Sequence, residues 1–110
     1  MKVTQKGKTT IIKDTQGNIS IFLEKITHEH SSYKSQNLII DLTHNKEITI
    51  KDIKSFLELS KIHKKEKKSF VIVLENIDFN DVPVKLIVVP SLQEANDIIE
   101  MEEIERDLGF

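Results

Sequence analysis

The chain has 110 residues, 38% of them hydrophobic and 31% charged, with a formal net charge of −2. That length suits one domain with its own core and is too short for two. Cysteine is absent, which excludes disulfides, thiolate metal sites and cysteine nucleophiles.

The opening residues VTQKGKTTIIKDTQGN alternate β-favouring Val, Thr and Ile with Gly7 and Gly17. They predict two short strands around Lys6-Gly7-Lys8 and a second turn at Gln16-Gly17. Asn18 then offers a helix N-cap, and Ile19, Phe22, Leu23 and Ile26 follow at i, i+3, i+4 and i+7, one apolar stripe on a helix. HEHSSYKSQ is a polar connection, after which Leu38-Ile39-Ile40 begins a buried strand ending at Asp41-Leu42-Thr43.

A second helix is predicted from Thr49, which has capping-box spacing to Asp52, with Ile50, Ile53, Phe56, Leu57 and Ser60 on its inner face. Ser69 to Leu74 is too uniformly apolar to alternate, so it reads as a strand buried on both faces, as in a parallel sheet covered by helices. ENIDFNDVP is a loop or single turn, and Lys85 to Val89 a further short buried strand. The last helix has a capping box at Ser91 and Glu94 and a left-handed cap at Gly109, with Ala95, Ile98, Ile99, Ile104 and Leu108 as its docking stripe. The resulting fold class is α/β: one domain spanning residues 1–110, a mixed sheet in the order β-β-α-β-α-β-(turn)-β-α, with residues 38–42, 69–74 and 85–89 as parallel core strands.

Charge is unevenly spread. Lysines concentrate in KIHKKEKK, residues 61 to 68, a solvated helix end whose cations favour the helix dipole. Carboxylates dominate the last helix, and Arg106 is the one arginine. Arginine is the preferred reader of phosphates and base edges, so a nucleic-acid partner is not expected. No apolar run approaches the ~20 residues that cross a bilayer, and MKVTQKGKTT lacks the apolar stretch of a secretory signal. A cytoplasmic protein is expected.

Three motifs invite chemistry. In His28-Glu29-His30 the two histidines lie two apart and leave a helix in different directions, so a zinc site would need His44 or His63 and a carboxylate from elsewhere; a solvated helix end is expected. Asp41, Thr43 and His44 stand at a strand's carboxyl end, where α/β proteins place chemistry. A phosphate-accepting Asp41 would need a magnesium-holding acidic pair, and only Asp14 is near, so Asp41 is expected to fix the following loop through backbone hydrogen bonds. No GxxxxGK[ST], GxGxxG or Ser/His/Asp set occurs. No catalytic, cofactor-binding or metal-ligand residues are assigned, and no cofactor is expected.

The element order and local wording resemble the STAS domain of bacterial anti-sigma-factor antagonists. Ile39-Ile40-Asp41-Leu42-Thr43 matches that family's Asp-Leu-Ser strand end, and Ile48-Thr49-Ile50-Lys51-Asp52 falls where its Asp-Ser-Ser-Gly phosphorylation motif opens a helix. Lys68 to Val73 looks like its next core strand, and Leu86 to Ala95 like its final strand and Ser-x-x-Glu-Ala helix start. Residues 37 to 108 carry the likeness; the N-terminal third agrees in pattern. The sequence departs where the switch belongs: the phosphoacceptor serine aligns with Ile50 and the glycine with Asp52, and the family's third helix shrinks to residues 77–82.

The resemblance implies a non-enzymatic regulatory module that binds another protein through the corner that meets the partner kinase in that family. Those positions are His44, Asn45, Lys46, Glu47, Thr49, Lys51, Lys54 and Glu58. A monomer or weak homodimer is expected. A second resemblance joins VVPSLQEANDIIEMEEIERDLGF to short bacterial chains carried under the label ribonuclease Z. It implies, as the alternative, an accessory of that nuclease without a nuclease site of its own, since the His-x-His-x-Asp-His zinc motif is not present.

Overall fold

A computed structural model describes residues 1–109; Phe110, the last residue of the expected 1–110 domain, lies outside them. The strands are β1 (Lys2–Lys6), β2 (Thr9–Lys13), β3 (Asn37–Asp41), β4 (Phe70–Val73) and β5 (Ile87–Val89). The helices are α1 (Ile19–His28), α2 (Ile50–Lys54), α3 (Leu57–Lys65) and α4 (Leu92–Asp107). Short 3-10 turns occupy His30–Ser32 and Phe79–Asp81.

One five-stranded sheet runs in the order β1-β2-β3-β4-β5. The β1–β2 hairpin is antiparallel and turns at Gly7, whose φ of 59° suits glycine. The other three pairings are parallel; α1 and then α2–α3 make the first two crossovers, and the segment with the Phe79–Asp81 turn makes the third. Every residue of β3 and β4 is buried, which accounts for their lack of polar alternation. β5 is an edge strand and only half-buried, shorter than the expected Lys85–Val89 segment.

Alternate residues of these strands feed two separate apolar clusters. Ile12, Leu38, Ile40, Phe70 and Ile72 pack under α1, α2 and α3, against Phe22, Ile26, Ile53 and Phe56. Ile39, Val71 and Val73 face the other way, against Ala95 and Ile99 of α4. Three helices therefore cover one face of the sheet and a single helix the other.

The capping residues behave largely as their types require. Asn18 Oδ1 accepts from the Ile21 amide at 3.1 Å and starts α1. Thr49 and Asp52 form a full reciprocal capping box on α2, and half-buried Ile48 joins the cluster that holds Ile53, in the positions of a hydrophobic staple. At α4 only half of the expected box forms: Ser91 Oγ accepts from the Glu94 amide at 3.1 Å, while no return bond from Glu94 is made. Gly109 adopts φ 82° and its amide reaches the Arg106 carbonyl, closing α4 as expected.

Three expectations need correction. The helix starting at Thr49 is two helices, α2 and α3, broken at Ser55–Phe56. Ser55 donates its hydroxyl to the Asp52 carbonyl and draws that turn tight, and Phe56 is thereby driven fully into the core. Ile50 is half-buried rather than a core residue, because it occupies the first position of a short helix at the sheet's rim. Ile104 and Leu108 do not continue the docking stripe of α4; they are 55% and 67% exposed. Helical geometry at 100° per residue places them opposite Ala95 and Ile99.

Candidate functional site

The carboxyl ends of the parallel strands β2 and β3 lie side by side, with Lys13 paired to Asp41. Each strand hands over to its loop through an aspartate. Asp14 follows β2, and its Oδ1 accepts from the Gln16 and Gly17 amides at 3.0 and 3.3 Å. Asp41 ends β3, and its Oδ1 accepts from the Thr43 amide at 3.0 Å and the Thr43 hydroxyl at 2.6 Å. Both side chains are nearly inaccessible to solvent, so these bonds replace the water that a buried carboxylate loses. Asp41 thus fixes the turn after its strand, in the role read from the sequence. Asp14 Oδ2 is buried without a hydrogen-bond partner.

The two loops are then tied together. Asn45 donates its side-chain amide to the Gly17 carbonyl at 3.0 Å, and its own Oδ1 accepts from the Glu47 amide at 2.9 Å. The chain is held by these bonds through residue 47 and by the capping box from residue 49. What remains free is the outer rim. His44, Lys46, Glu47, Thr49, Lys51, Lys54 and Glu58 are exposed, and Asn45, the tether, is half-buried. Lys51, Lys54 and Glu58 follow i, i+3, i+7 spacing across the α2–α3 break and extend the rim along one side. Apart from Asn45, the candidate residues therefore present exposed polar groups on a backbone fixed by hydrogen bonds. The Thr49 hydroxyl is engaged as an acceptor from the Asp52 amide at 3.3 Å.

The histidines behave differently from the sequence reading. His28 is exposed, as expected of a helix end. His30 and His63 meet: His30 Nε2 and His63 Nδ1 are 2.8 Å apart, and His63 Nε2 lies 2.7 Å from the Gln36 carbonyl. His63 is fully buried, its ring 6.1 Å from that of Phe70, so it does not belong to the solvated basic end to which its lysine neighbours belong. Burial pulls its pKa down to about 4, against the opposing effect of the Gln36 carbonyl. The Gln36 carbonyl can only accept, so His63 carries its proton on Nε2 and its Nδ1 accepts from His30 Nε2–H. The signal was present in the spacing, since Phe56, Ser60 and His63 recur at i, i+4, i+7. Among the described residues, no three His, Asp or Glu side chains converge as a metal-ligand set.

A second polar network sits at the opposite end of the sheet. Buried Asn37 accepts from the Ser69 amide at 2.9 Å and donates to Glu103 Oε1 at 2.9 Å. Ser69 Oγ donates to Glu102, and Arg106 reaches both Ser69 Oγ and Asn37 Oδ1. The single arginine thus locks α4 to the start of β3 and β4.

No protein-family model matches the sequence, and no curated protein sequence matches it either. Solved structures do. RsbS from Moorella thermoacetica, as a serine-to-glutamate variant, superposes with a TM-score of 0.60 at 14% identity, over 89% of this chain and 95% of that one. A chain from the stressosome, described as a signal integration and transduction hub, superposes with a TM-score of 0.60 at 13% identity, over 90% and 96%. These are STAS-domain proteins, and the chain has a STAS-like fold.

Proposed function

We propose that this chain is a small, non-enzymatic regulatory module that works by binding another protein through the rim at the carboxyl end of β3. The binding residues are His44, Asn45, Lys46, Glu47, Thr49, Lys51, Lys54 and Glu58. One observation carries the reading: Asp14, Asp41 and Asn45 use hydrogen bonds to fix the two adjoining loops, while the exposed side chains of His44, Lys46, Glu47, Lys51, Lys54 and Glu58 take no part in that bonding. A surface whose backbone is ordered before contact loses less entropy on binding. The likeness to RsbS and to the stressosome chain supports a regulatory, protein-contacting role, for which we propose a cytoplasmic setting.

The rim lacks the family's switch. Ile50 stands at the acceptor position, and the neighbouring Thr49 hydroxyl serves as the N-cap. Binding is therefore constitutive with respect to phosphorylation at the start of α2. The test is affinity capture from the native cell with wild type and with Lys46→Glu/Lys51→Glu/Lys54→Glu, quantified by mass spectrometry. A partner held by wild type, lost from the rim variant and retained by Lys61→Glu/Lys65→Glu supports the reading. Equal retention by all three proteins overturns it.

A further inference from the structure

Face by face, the sheet is unequally covered. α4 packs over β3, β4 and β5, which leaves the same face of β1 and β2 without a helix. The pairing register shows which side chains stand there: Lys2 opposite Lys13, Thr4 opposite Ile11, Lys6 opposite Thr9. Ile11 packs at the edge of the α4 cluster, so all six point to that side. Lys8, in the turn between the two strands, lies 4.0 Å from Glu103 of α4. The bare half-face thus has a floor of half-buried Thr4, Thr9 and Ile11 and a border of Lys2, Lys6 and Lys13. An open trench of about 370 Å³ separates it from α4, with Thr9 and Ile99 in its lining.

The missing cover has a counterpart on α4 itself. Met101, Ile104 and Leu108, spaced i, i+3, i+7, are 58%, 55% and 67% exposed. They form an apolar stripe on the side of the helix turned away from its own sheet. Glu94, Asp97 and Glu105 are exposed beside that stripe. One surface of the molecule is therefore a shallow floor of two threonines and an isoleucine bordered by lysine, and another is an apolar ridge bordered by carboxylate. Both lie on one side of the sheet.

We propose that a second copy of this chain covers this face, the two copies related by a twofold axis. The outer stripe of each α4 rests on the bare β1–β2 half of the other. The two α4 helices lie side by side in one layer between two sheets, and each is apolar toward both. Carboxylates of one copy meet lysines of the other in both directions, because an isologous contact is made twice. Glu100 and Asp107 also line the trench. With 16 residues, α4 is about 24 Å long and about 10 Å wide. Two such contacts bury roughly 1,000 Å² in all, below the range of tight interfaces, so the dimer is weak and exchanging. The partner-binding rim leads into α2, on the opposite face of the sheet from α4, so this inference goes beyond that reading and stands or falls separately.

The experiment is sedimentation velocity on the full chain from about 10 μM to about 1 mM. A concentration-dependent monomer–dimer equilibrium is expected for wild type. Ile104→Lys, or Met101→Lys should the first fail to fold, weakens it by about tenfold or more, and so does Lys2→Glu/Lys6→Glu. Adding Glu94→Lys/Asp97→Lys to the lysine-reversed chain restores dimer, since both borders have then changed sign. A monomer at every concentration overturns the proposal. So do a dimer indifferent to these changes, and association that proceeds beyond two copies.

Discussion

Acid should destabilise this protein through one imidazole. His63 is held neutral by burial, with its pKa near 4 instead of the usual 6.5. The nearby Glu66 pulls that value up, while His30 and Lys68 push it down, all less than burial does. Between these two pH values the unfolded chain binds a proton that the folded chain refuses. Stability is therefore full above about pH 6.5 and falls as the pH drops toward 4. The interval sets an upper limit of about 3 kcal/mol, and solvent screening near the half-exposed His30 brings the expected loss to about 2 kcal/mol. The geometry explains the refusal. A proton added to His63 Nδ1 would point at His30 Nε2–H, since Nε2 of His63 is committed to the Gln36 carbonyl. Urea unfolding at a series of pH values from about 7.5 to about 4.5 reads this out. His63→Gln, which keeps an amide donor for Gln36 but cannot titrate there, should be less stable at neutral pH and show a shallower pH slope. A wild-type slope equal to that of His63→Gln would refute the reasoning.

Placing a carboxylate at Ile72, in a strand with both faces buried, should destabilise by about 4 kcal/mol or more; a normal melting temperature for Ile72→Asp would contradict the sheet arrangement. Lys67 is left-handed at φ 59°, a conformation that L side chains resist, so Lys67→Gly should stabilise by about 0.5–1 kcal/mol in urea unfolding. Thr49→Ala removes the α2 cap and should lower stability by about 1 kcal/mol while partner capture persists. Thr49→Glu should also leave most of the capture intact. Phosphopeptide mapping of protein from its own cells should find Thr49 unmodified.

Much of the fold was legible because burial leaves its period in the sequence. The unbroken apolar runs at Leu38 and Phe70 announced strands buried on both sides, and the spacing around Phe22 announced α1. Asn18, Thr49 and Gly109 marked helix ends by the hydrogen bonds or backbone angles their types permit. What escaped depends on tertiary contact. The break at Ser55 arises from a hydroxyl turning back on its own backbone, which a helical pattern does not encode. Ile104 and Leu108 share an apolar character with Ala95 and Ile99 but point the other way, and only the placement of α4 on the sheet reveals it. His63 sits among lysines in sequence, whereas in space it is sealed between Gln36, His30 and Phe70. At the candidate site the role of Asp41 was readable from the polar residues that follow its strand. The tie from Asn45 to Gly17 was not, because it joins loops 28 residues apart.

The central claim is that partners meet the rim formed by residues 44–58. Amine cross-linking in the native cell, followed by mass spectrometry, tests it directly, since lysines also stand on β1, β2, α1 and α3, away from the rim. Links to other proteins are predicted to concentrate on Lys46, Lys51 and Lys54. Links that concentrate instead on Lys61, Lys64 and Lys65, with the rim lysines unmodified by any partner, would contradict the account.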